Sequence, residues 1–165
     1  WLKTSGSKGY HIAVPLAPHT TFDLSWDFAH AVGAVLVQRF PDMLTQEFIK
    51  SDRKGRIFVD TGRNGYGATF AAANAVRARP GAPVSAPFTW EELERGEVAP
   101  QTLTLRNMAE RIARVGDLWQ ALHTDGASLD VPFATIRAQI SDEAWKESLA
   151  ARTRKPKPRA AKKKA

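Results

Sequence analysis

Cysteine is absent from the 165 residues of this chain, and no apolar run approaches the roughly 18 residues that a membrane-spanning helix needs. The first absence excludes a disulfide framework and a thiolate metal site. The second argues against a helical membrane protein. What is present, 43% hydrophobic residues with five tryptophans, predicts a globular domain with a substantial core, and this composition is compatible with the cytoplasm.

Acidic residues are missing from Arg152 onward, where the chain reads RTRKPKPRAAKKKA and contains eight lysines or arginines. The other 16 basic residues nearly balance the 17 acidic ones, so the net charge of +7 belongs to this segment. A segment of this kind cannot bury a core, and we predict a folded domain over residues 1–150 and a disordered basic tail over 151–165. The tail suits contact with a nucleic-acid phosphate backbone, and a solubilising or linker role is the alternative.

The apolar pattern of the remaining chain predicts an α+β fold, with strands and helices interleaved. HIAVPL (11–16) and RIFVD (56–60) have the composition of buried strands. Apolar residues recur at helical spacing over 22–39, and Pro41 ends that helix. We predict a shorter helix over LTQEFIK (44–50).

The second half predicts mainly helices. ATFAAANAVRAR (68–79) reads as a helical turn leading into a strand, and the prolines of 79–88 exclude a regular helix. Thr89 and Glu92 form a capping box that starts a short helix. An amphipathic helix is expected from about residue 104, and a final helix over SDEAWKESLAAR (141–152).

The stretch KTSGSKGYH (3–11) concentrates glycines, hydroxyls, a lysine and a histidine ahead of an apolar run. Glycines let a backbone turn and expose N–H groups, so Ser5, Ser7 and Lys8 form a candidate cradle for an anion. An ordinary β-hairpin is the alternative. The spacing is not that of a Walker A loop or of a nucleophile elbow.

Asp60 closes an apolar strand, where burial of a carboxylate is costly unless it is paired or binds a cation. A salt bridge to a nearby arginine is one explanation, and a ligand for Mg²⁺ or Mn²⁺ is the other. Arg77 and Arg79 would project from one face of an extended backbone and could hold phosphates bidentately, although an exposed pair on a solvated edge is the commoner case.

Taken together and in this order, KTSGSKGYHIAVPL, GRIFVDTGRN and VRARPGAPVSAPFTWEEL resemble the polymerase domain of bacterial ligase D, in the archaeo-eukaryotic primase superfamily. The resemblance runs from Leu2 to about Leu122 and covers the C-terminal portion of that primase-polymerase catalytic core. It implies a DNA-repair enzyme of non-homologous end joining that transfers nucleotides to DNA ends with Mn²⁺ or Mg²⁺. It also implies a bacterial cytoplasmic protein, associated with the nucleoid when on DNA.

The resemblance implies roles for individual residues. Ser5, Lys8 and His11 would contact the triphosphate or sugar of an incoming NTP or dNTP. Asp60 would be a catalytic, metal-holding carboxylate. Arg53 would line the active site near the nucleotide, and Arg77 or Arg79 would hold the phosphates. The AAAN segment before Arg77 departs from the tyrosine-containing pattern usual in that family.

The family's Asp-x-Asp pair, which supplies most of the metal ligands, does not occur in this sequence. Asp23 and Asp27 fall on the predicted helix and are expected on its solvated face. The resemblance therefore predicts a chain that corresponds to part of a domain. Three explanations stay open: the N-terminal part was cut away, it is a separate N-terminal half that carries the Asp-x-Asp motif, or the gene is truncated or degenerate. Further implied partners are a Ku-type end-binding protein and a DNA ligase, since no ligase signature appears here.

Three hypotheses follow. The chain is the nucleotide-binding part of a repair primase-polymerase, inactive by itself because the Asp-x-Asp pair is absent. Alternatively, it is a non-catalytic module that binds nucleotide or DNA. The third hypothesis is an α/β domain whose glycine-rich loop is only a turn.

Overall fold

The computed structural model describes residues 1–124 and 126–146, and it shows short strands interleaved with helices. This confirms the predicted mixed α/β class. The strands are β1 (Leu2–Thr4), β2 (Tyr10–Ile12), β3 (Leu44–Thr45), β4 (Ile57–Phe58), β5 (Ala75–Val76), β6 (Val84–Ser85) and β7 (Pro87–Phe88). The α-helices are α1 (Phe22–Arg39), α2 (Trp90–Glu94), α3 (Met108–Val115) and α4 (Asp130–Arg137). Single 3₁₀ turns cover Lys50–Arg53, Gly62–Asn64 and Gln120–His123.

The chain divides into two compact units. The first contains Trp1–Ser25 and Gly65–Leu129, and the second contains Trp26–Asn64 and the chain from Asp130 onward. The predicted tail, residues 151–165, lies outside the described residues. No helix among the described residues is long and apolar enough to cross a membrane.

The first unit is built on a three-stranded antiparallel sheet in the order β2-β1-β7. Leu2 pairs with Ile12 on one side and with Phe88 on the other. All of β1 is buried, and Leu2 joins the main apolar cluster, whose other buried members are Val84, Ala86, Phe88, Val98, Leu103 and Met108. The buried strand therefore precedes the glycine-rich turn.

The strand predicted at 11–16 is shorter than expected and is not buried. β2 ends at Ile12 and forms an edge of the sheet, where Ile12 is 69% exposed. Pro15 lacks an amide donor, which opposes continuation of the strand. This prediction was wrong in extent and burial.

β5 and β6 form a separate antiparallel pair, with Ala75 opposite Ser85. The helical turn predicted before β5 is absent, because Asn74 adopts a left-handed conformation (φ 61°) and its N–H donates to Ser85 O at 2.8 Å. The prolines of the segment, Pro80, Pro83 and Pro87, lie in turns and in the short strands, as their exclusion from helices predicts.

α1 spans the predicted residues Phe22–Arg39, and its residues from Trp26 onward belong to the second unit. The helix predicted over 44–50 is wrong. β3 lies there instead, parallel to β4, because Met43 O and Thr45 O accept the N–H groups of Ile57 and Val59 and are not available to a helix. The strand predicted at 56–60 is reduced to Ile57–Phe58, and Ile57 is 61% exposed.

The predicted capping box is confirmed: the Thr89 hydroxyl accepts from Glu92 N, and the Glu92 carboxylate accepts from Thr89 N. The amphipathic helix begins at Met108 rather than about 104, since Thr104 N donates to Asn107 Oδ1 and closes a turn there. It ends at Gly116 (φ 67°). α4 was not predicted. Residues 142–146 of the last predicted helix are helical, Ser141 is not, and residues 147–152 lie outside the described residues.

Candidate functional site

The glycine-rich segment after β1 forms a tight hairpin turn. Ser5 N donates to Gly9 O at 2.8 Å, and Ser5 Oγ accepts the N–H groups of Ser7 and Gly9 at 3.2 and 3.1 Å. The Ser5 oxygen is therefore used inside the turn, and its hydroxyl proton is the group that it can offer to a ligand. The segment is a hairpin, and the anion cradle stays a prediction.

Gly6 brings Arg77 onto this turn. Gly6 is buried at φ 60°, and a Cβ there would lie 2.5 Å from Arg77 Cγ and 3.2 Å from the carbonyl carbon of Val84. The aliphatic part of Arg77 therefore packs directly over the glycine. Only glycine combines this backbone conformation with so close an approach. Two predicted site segments, far apart in sequence, meet here.

The remaining predicted cations of the first unit are at the surface. Lys8 is exposed on the turn, and it makes no hydrogen bond or ion pair within the part of the chain that the structure describes. Arg79 is exposed after β5, whereas Arg77 is half-buried. Arg79 N donates to Arg77 O at 2.7 Å, so the backbone bends here. The extended arrangement predicted for Arg77 and Arg79 is wrong, because β5 ends at Val76.

Lys3 is a buried cation that the sequence reasoning missed. Its residue surface is fully covered, and its Nζ lies 2.5 Å from Ser85 Oγ and 2.7 Å from His11 Nδ1. Burial, and secondly the charge of Arg77, lowers the pKa of Lys3 to about 8. The signal that could have found it is strand register, since Lys3 and His11 are directly opposite each other in β1 and β2.

The predicted residue His11 is half-buried beside Lys3. Its ring meets Phe70 edge-on, with centroids 5.9 Å apart, and Lys3 Nζ lies 5.3 Å from the same Phe70 ring. The first unit thus brings together Lys3, His11 and Arg77 around a closed turn that carries Ser5 and Lys8. Such a concentration of cations and donors suits an anionic ligand.

In the second unit, Asp60 follows β4 and is exposed. Its Oδ1 accepts Gly62 N–H at 3.1 Å, and it forms no salt bridge with any of the described residues. The Asp60 carboxylate is therefore not buried as the sequence predicts, because β4 ends at Phe58, two residues before it. The carboxylate is accessible to a cation.

Arg53 lies on the other side of β4. Its guanidinium donates to Glu47 O at 2.9 Å and to Phe48 O at 2.8 Å, and it lies 3.9 Å from the centroid of the Phe58 ring. These contacts hold the loop before β4. The role of Arg53 in nucleotide binding stays a prediction.

His30 is a second histidine that the sequence reasoning passed over. It stacks on Trp26 with centroids 4.7 Å apart, and its Nδ1 is 3.3 Å from Gln46 Nε2 and 3.4 Å from Thr61 Oγ1. Burial lowers the pKa of His30, and the charge of Asp27 partly opposes this. These contacts bring α1 to the residue after Asp60.

A divalent metal needs several oxygen donors. Within residues 1–124 and 126–146 there is no group of three or more histidine and carboxylate side chains placed to hold one. Asp60 is a single candidate ligand, and Asp23 is exposed on α1. The described residues therefore do not fit a metal site by themselves.

The fold and the first unit define a class: a mixed α/β protein with a basic cluster on a glycine-dependent hairpin, suited to an anionic ligand. Comparison with known proteins gives the family. The model of the LigD primase-polymerase domain matches residues 1–119. This chain belongs to that family.

The similar proteins are much longer than this chain. It is 42% identical over 112 residues to the multifunctional non-homologous end joining protein LigD of Pseudomonas aeruginosa, covering 68% of this chain and 13% of that protein. It is 36% identical over 127 residues to the corresponding Mycobacterium tuberculosis protein, covering 77% of this chain and 16% of that one.

Solved structures are also similar to this chain. The polymerase domain of M. tuberculosis ligase D in complex with DNA matches with a TM-score of 0.69 and 35% identity, over 76% of this chain and 43% of that one. The predicted resemblance is confirmed at the level of the family and the fold.

Proposed function

We propose that this chain is the nucleotide-binding part of a DNA-repair primase-polymerase of non-homologous end joining. The observation that carries the proposal is the packing of Arg77 on Gly6, which places this arginine on the hairpin that carries Lys8 and near Lys3. Family membership supports it, as does the likeness to a polymerase domain bound to DNA. The ligands proposed are an NTP or dNTP and DNA ends.

In this proposal, five residues of the first unit contact the ligand. Lys8 provides a mobile positive charge, and the Ser5 hydroxyl and the His11 ring donate hydrogen bonds to phosphate or sugar oxygens. Arg77 and Arg79 provide planar guanidinium groups that suit phosphates. The proposed partners of the whole enzyme are a Ku-type end-binding protein and a DNA ligase.

Asp60 is proposed to contribute one carboxylate to a Mn²⁺ or Mg²⁺ site, whose other ligands the described residues do not supply. Bound metal would stabilise the charge of the transferring phosphoryl group.

Replacing Lys8 by alanine tests the nucleotide site. We expect Lys8→Ala to weaken ATP binding by about tenfold or more, because a charge-assisted contact to phosphate is lost. Titration of labelled ATP into wild type and variant measures this. Lys146→Ala removes an exposed charge from the other unit and serves as the matched control. Equal affinity of Lys8→Ala and wild type would favour the simple-turn hypothesis.

A second candidate function is a non-catalytic module that binds nucleotide or DNA. The observation that favours it is that the sequence holds no Asp-x-Asp pair beside Asp60. Two-metal nucleotidyl transfer needs carboxylates that bridge both ions.

We therefore expect the purified 165-residue chain to add no nucleotides to a primer–template, with either Mn²⁺ or Mg²⁺. Primer extension measured on a gel tests this, with a LigD polymerase domain that carries the Asp-x-Asp pair as the positive control. Template-dependent extension by the chain alone would show that its own residues suffice for catalysis.

A further inference from the structure

The buried amine of Lys3 has no task in the proposed site, although it touches a residue that does. It lies in β1, fully covered, with Ser85 Oγ at 2.5 Å, His11 Nδ1 at 2.7 Å and the Phe70 ring beside it. Burying an ammonium group is costly unless its protons are hydrogen-bonded. Each of its three protons has an acceptor or a ring face nearby.

The hydrogen-bond directions follow from the donors available. Ser85 Oγ uses its own proton to donate to Thr4 O at 2.8 Å, so it must accept from Lys3. A charged lysine has three donors and no acceptor. His11 Nδ1 must therefore accept from Lys3 and carry no proton. In a neutral imidazole the ring proton is then on Nε2.

We infer that Lys3 is a positioning residue: it holds His11 in the Nε2-protonated tautomer, so that this ring offers an N–H donor to an oxygen of the bound nucleotide. The identity of the ligand rests on the function proposed above, whereas the tautomer is a property of the ligand-free chain. A proton on Nδ1 would meet the lysine protons at 2.7 Å, so the same contact opposes the imidazolium form.

Arg77 and His11 are the charged or titratable side chains identified beside Lys3, and Ser85 and Phe70 complete its surroundings. Because the pKa of Lys3 is lowered to about 8, its amine is mostly charged at pH 7 and mostly neutral at pH 9.5. A neutral amine has a lone pair and can accept a hydrogen bond from a protonated Nδ1. The preference of His11 for one tautomer should therefore weaken as the pH rises through about 8.

The ¹⁵N chemical shifts of the His11 ring, assigned by the signal lost in His11→Phe, test the inference without any ligand. At pH 7 we expect the wild type to show a protonated Nε2 and an unprotonated Nδ1. We expect Lys3→Met to show a mixture of both tautomers. Ser85→Ala is the matched control, since it removes the other partner of Lys3 and leaves the contact with His11.

The wild-type spectrum at pH 7 tests the inference even if Lys3→Met does not fold. A protonated Nδ1 in that spectrum would overturn it. An unchanged ratio in folded Lys3→Met would overturn it as well.

Nucleotide affinity provides a separate readout. We expect folded Lys3→Met to bind ATP about tenfold more weakly than Ser85→Ala, corresponding to one lost hydrogen bond. Equal affinities of the two variants would overturn the positioning role. If the wild type binds no ATP, the proposed function fails, and the tautomer measurement still decides what Lys3 does to His11.

Discussion

Replacing Arg111 by alanine is expected to lower the free energy of unfolding by about 3–5 kcal/mol, because it leaves a buried carboxylate without its cation. Arg111 is 5% exposed, and its guanidinium holds both oxygens of Glu92 at 2.7 and 2.8 Å. It also donates to Pro87 O at 2.9 Å. One side chain of α3 thus joins α2 and β7. Domains are typically stable by only about 5–15 kcal/mol, so the variant should unfold at a much lower urea concentration than the wild type.

Arg95→Ala is the matched control, because Arg95 forms a similar pair with Glu97 at 2.6 Å but at the surface. Exposed pairs are screened by water, so its urea midpoint should stay close to that of the wild type. Arg111→Lys keeps the charge and loses the planar guanidinium group. Its urea midpoint should lie between those of Arg111→Ala and Arg95→Ala. Equal midpoints for Arg111→Ala and Arg95→Ala would show that the buried pair does not hold these elements together.

Gly6→Ala is expected to destabilise the chain by about 2–5 kcal/mol and to weaken ATP binding. The left-handed backbone at φ 60° costs an L-residue about 1–2 kcal/mol, and overpacking typically costs about 1–3 kcal/mol more. The new methyl group would meet Arg77 Cγ and the backbone of Val84 and Ser85, so the arginine must leave the turn. Urea unfolding and ATP titration measure the two effects.

Gly9→Ala in the same turn is the control, since a Cβ at Gly9 has no atom within 4 Å. We expect little change in either measurement for this variant. If Gly6→Ala behaved like Gly9→Ala, the packing of Arg77 on the turn would have no energetic importance, and the observation that carries the proposed function would be lost.

Local chemistry made some elements of the fold predictable from sequence. α1 has apolar residues at helical spacing and is followed by Pro41, and both of its ends were predicted correctly. The capping box of Thr89 and Glu92 is likewise a local device, readable from two residues three positions apart.

Elements that depend on distant partners were not predictable in this way. Residues 44–50 have a helix-like composition, but the backbone of β3 pairs with β4. β1 is too short to give a period, and its burial comes from β2 and β7 on either side. Tertiary context overrides weak local preference in both cases.

The candidate site likewise has features that local sequence predicts and features that depend on distant contacts. Sequence reasoning could propose Ser5, Lys8 and His11 because they are close in sequence, and Arg77 because of its charge. The contact between Arg77 and Gly6 and the burial of Lys3 depend on β6, which is about eighty residues from the turn along the chain. No spacing rule applies over that separation. The functional roles of all the predicted site residues, Arg53, Asp60 and Arg79 included, stay predictions.

The three prolines before and within the segment of β6 and β7 have a consequence for the unfolded chain. Pro80, Pro83 and Pro87 each fix one backbone torsion before any contact forms, so this segment has less conformational entropy to lose on folding. A compatible proline is typically worth about 0.4–1 kcal/mol for that reason. The smaller loss of conformational entropy therefore helps the two-residue strands β6 and β7 to remain folded beside β1.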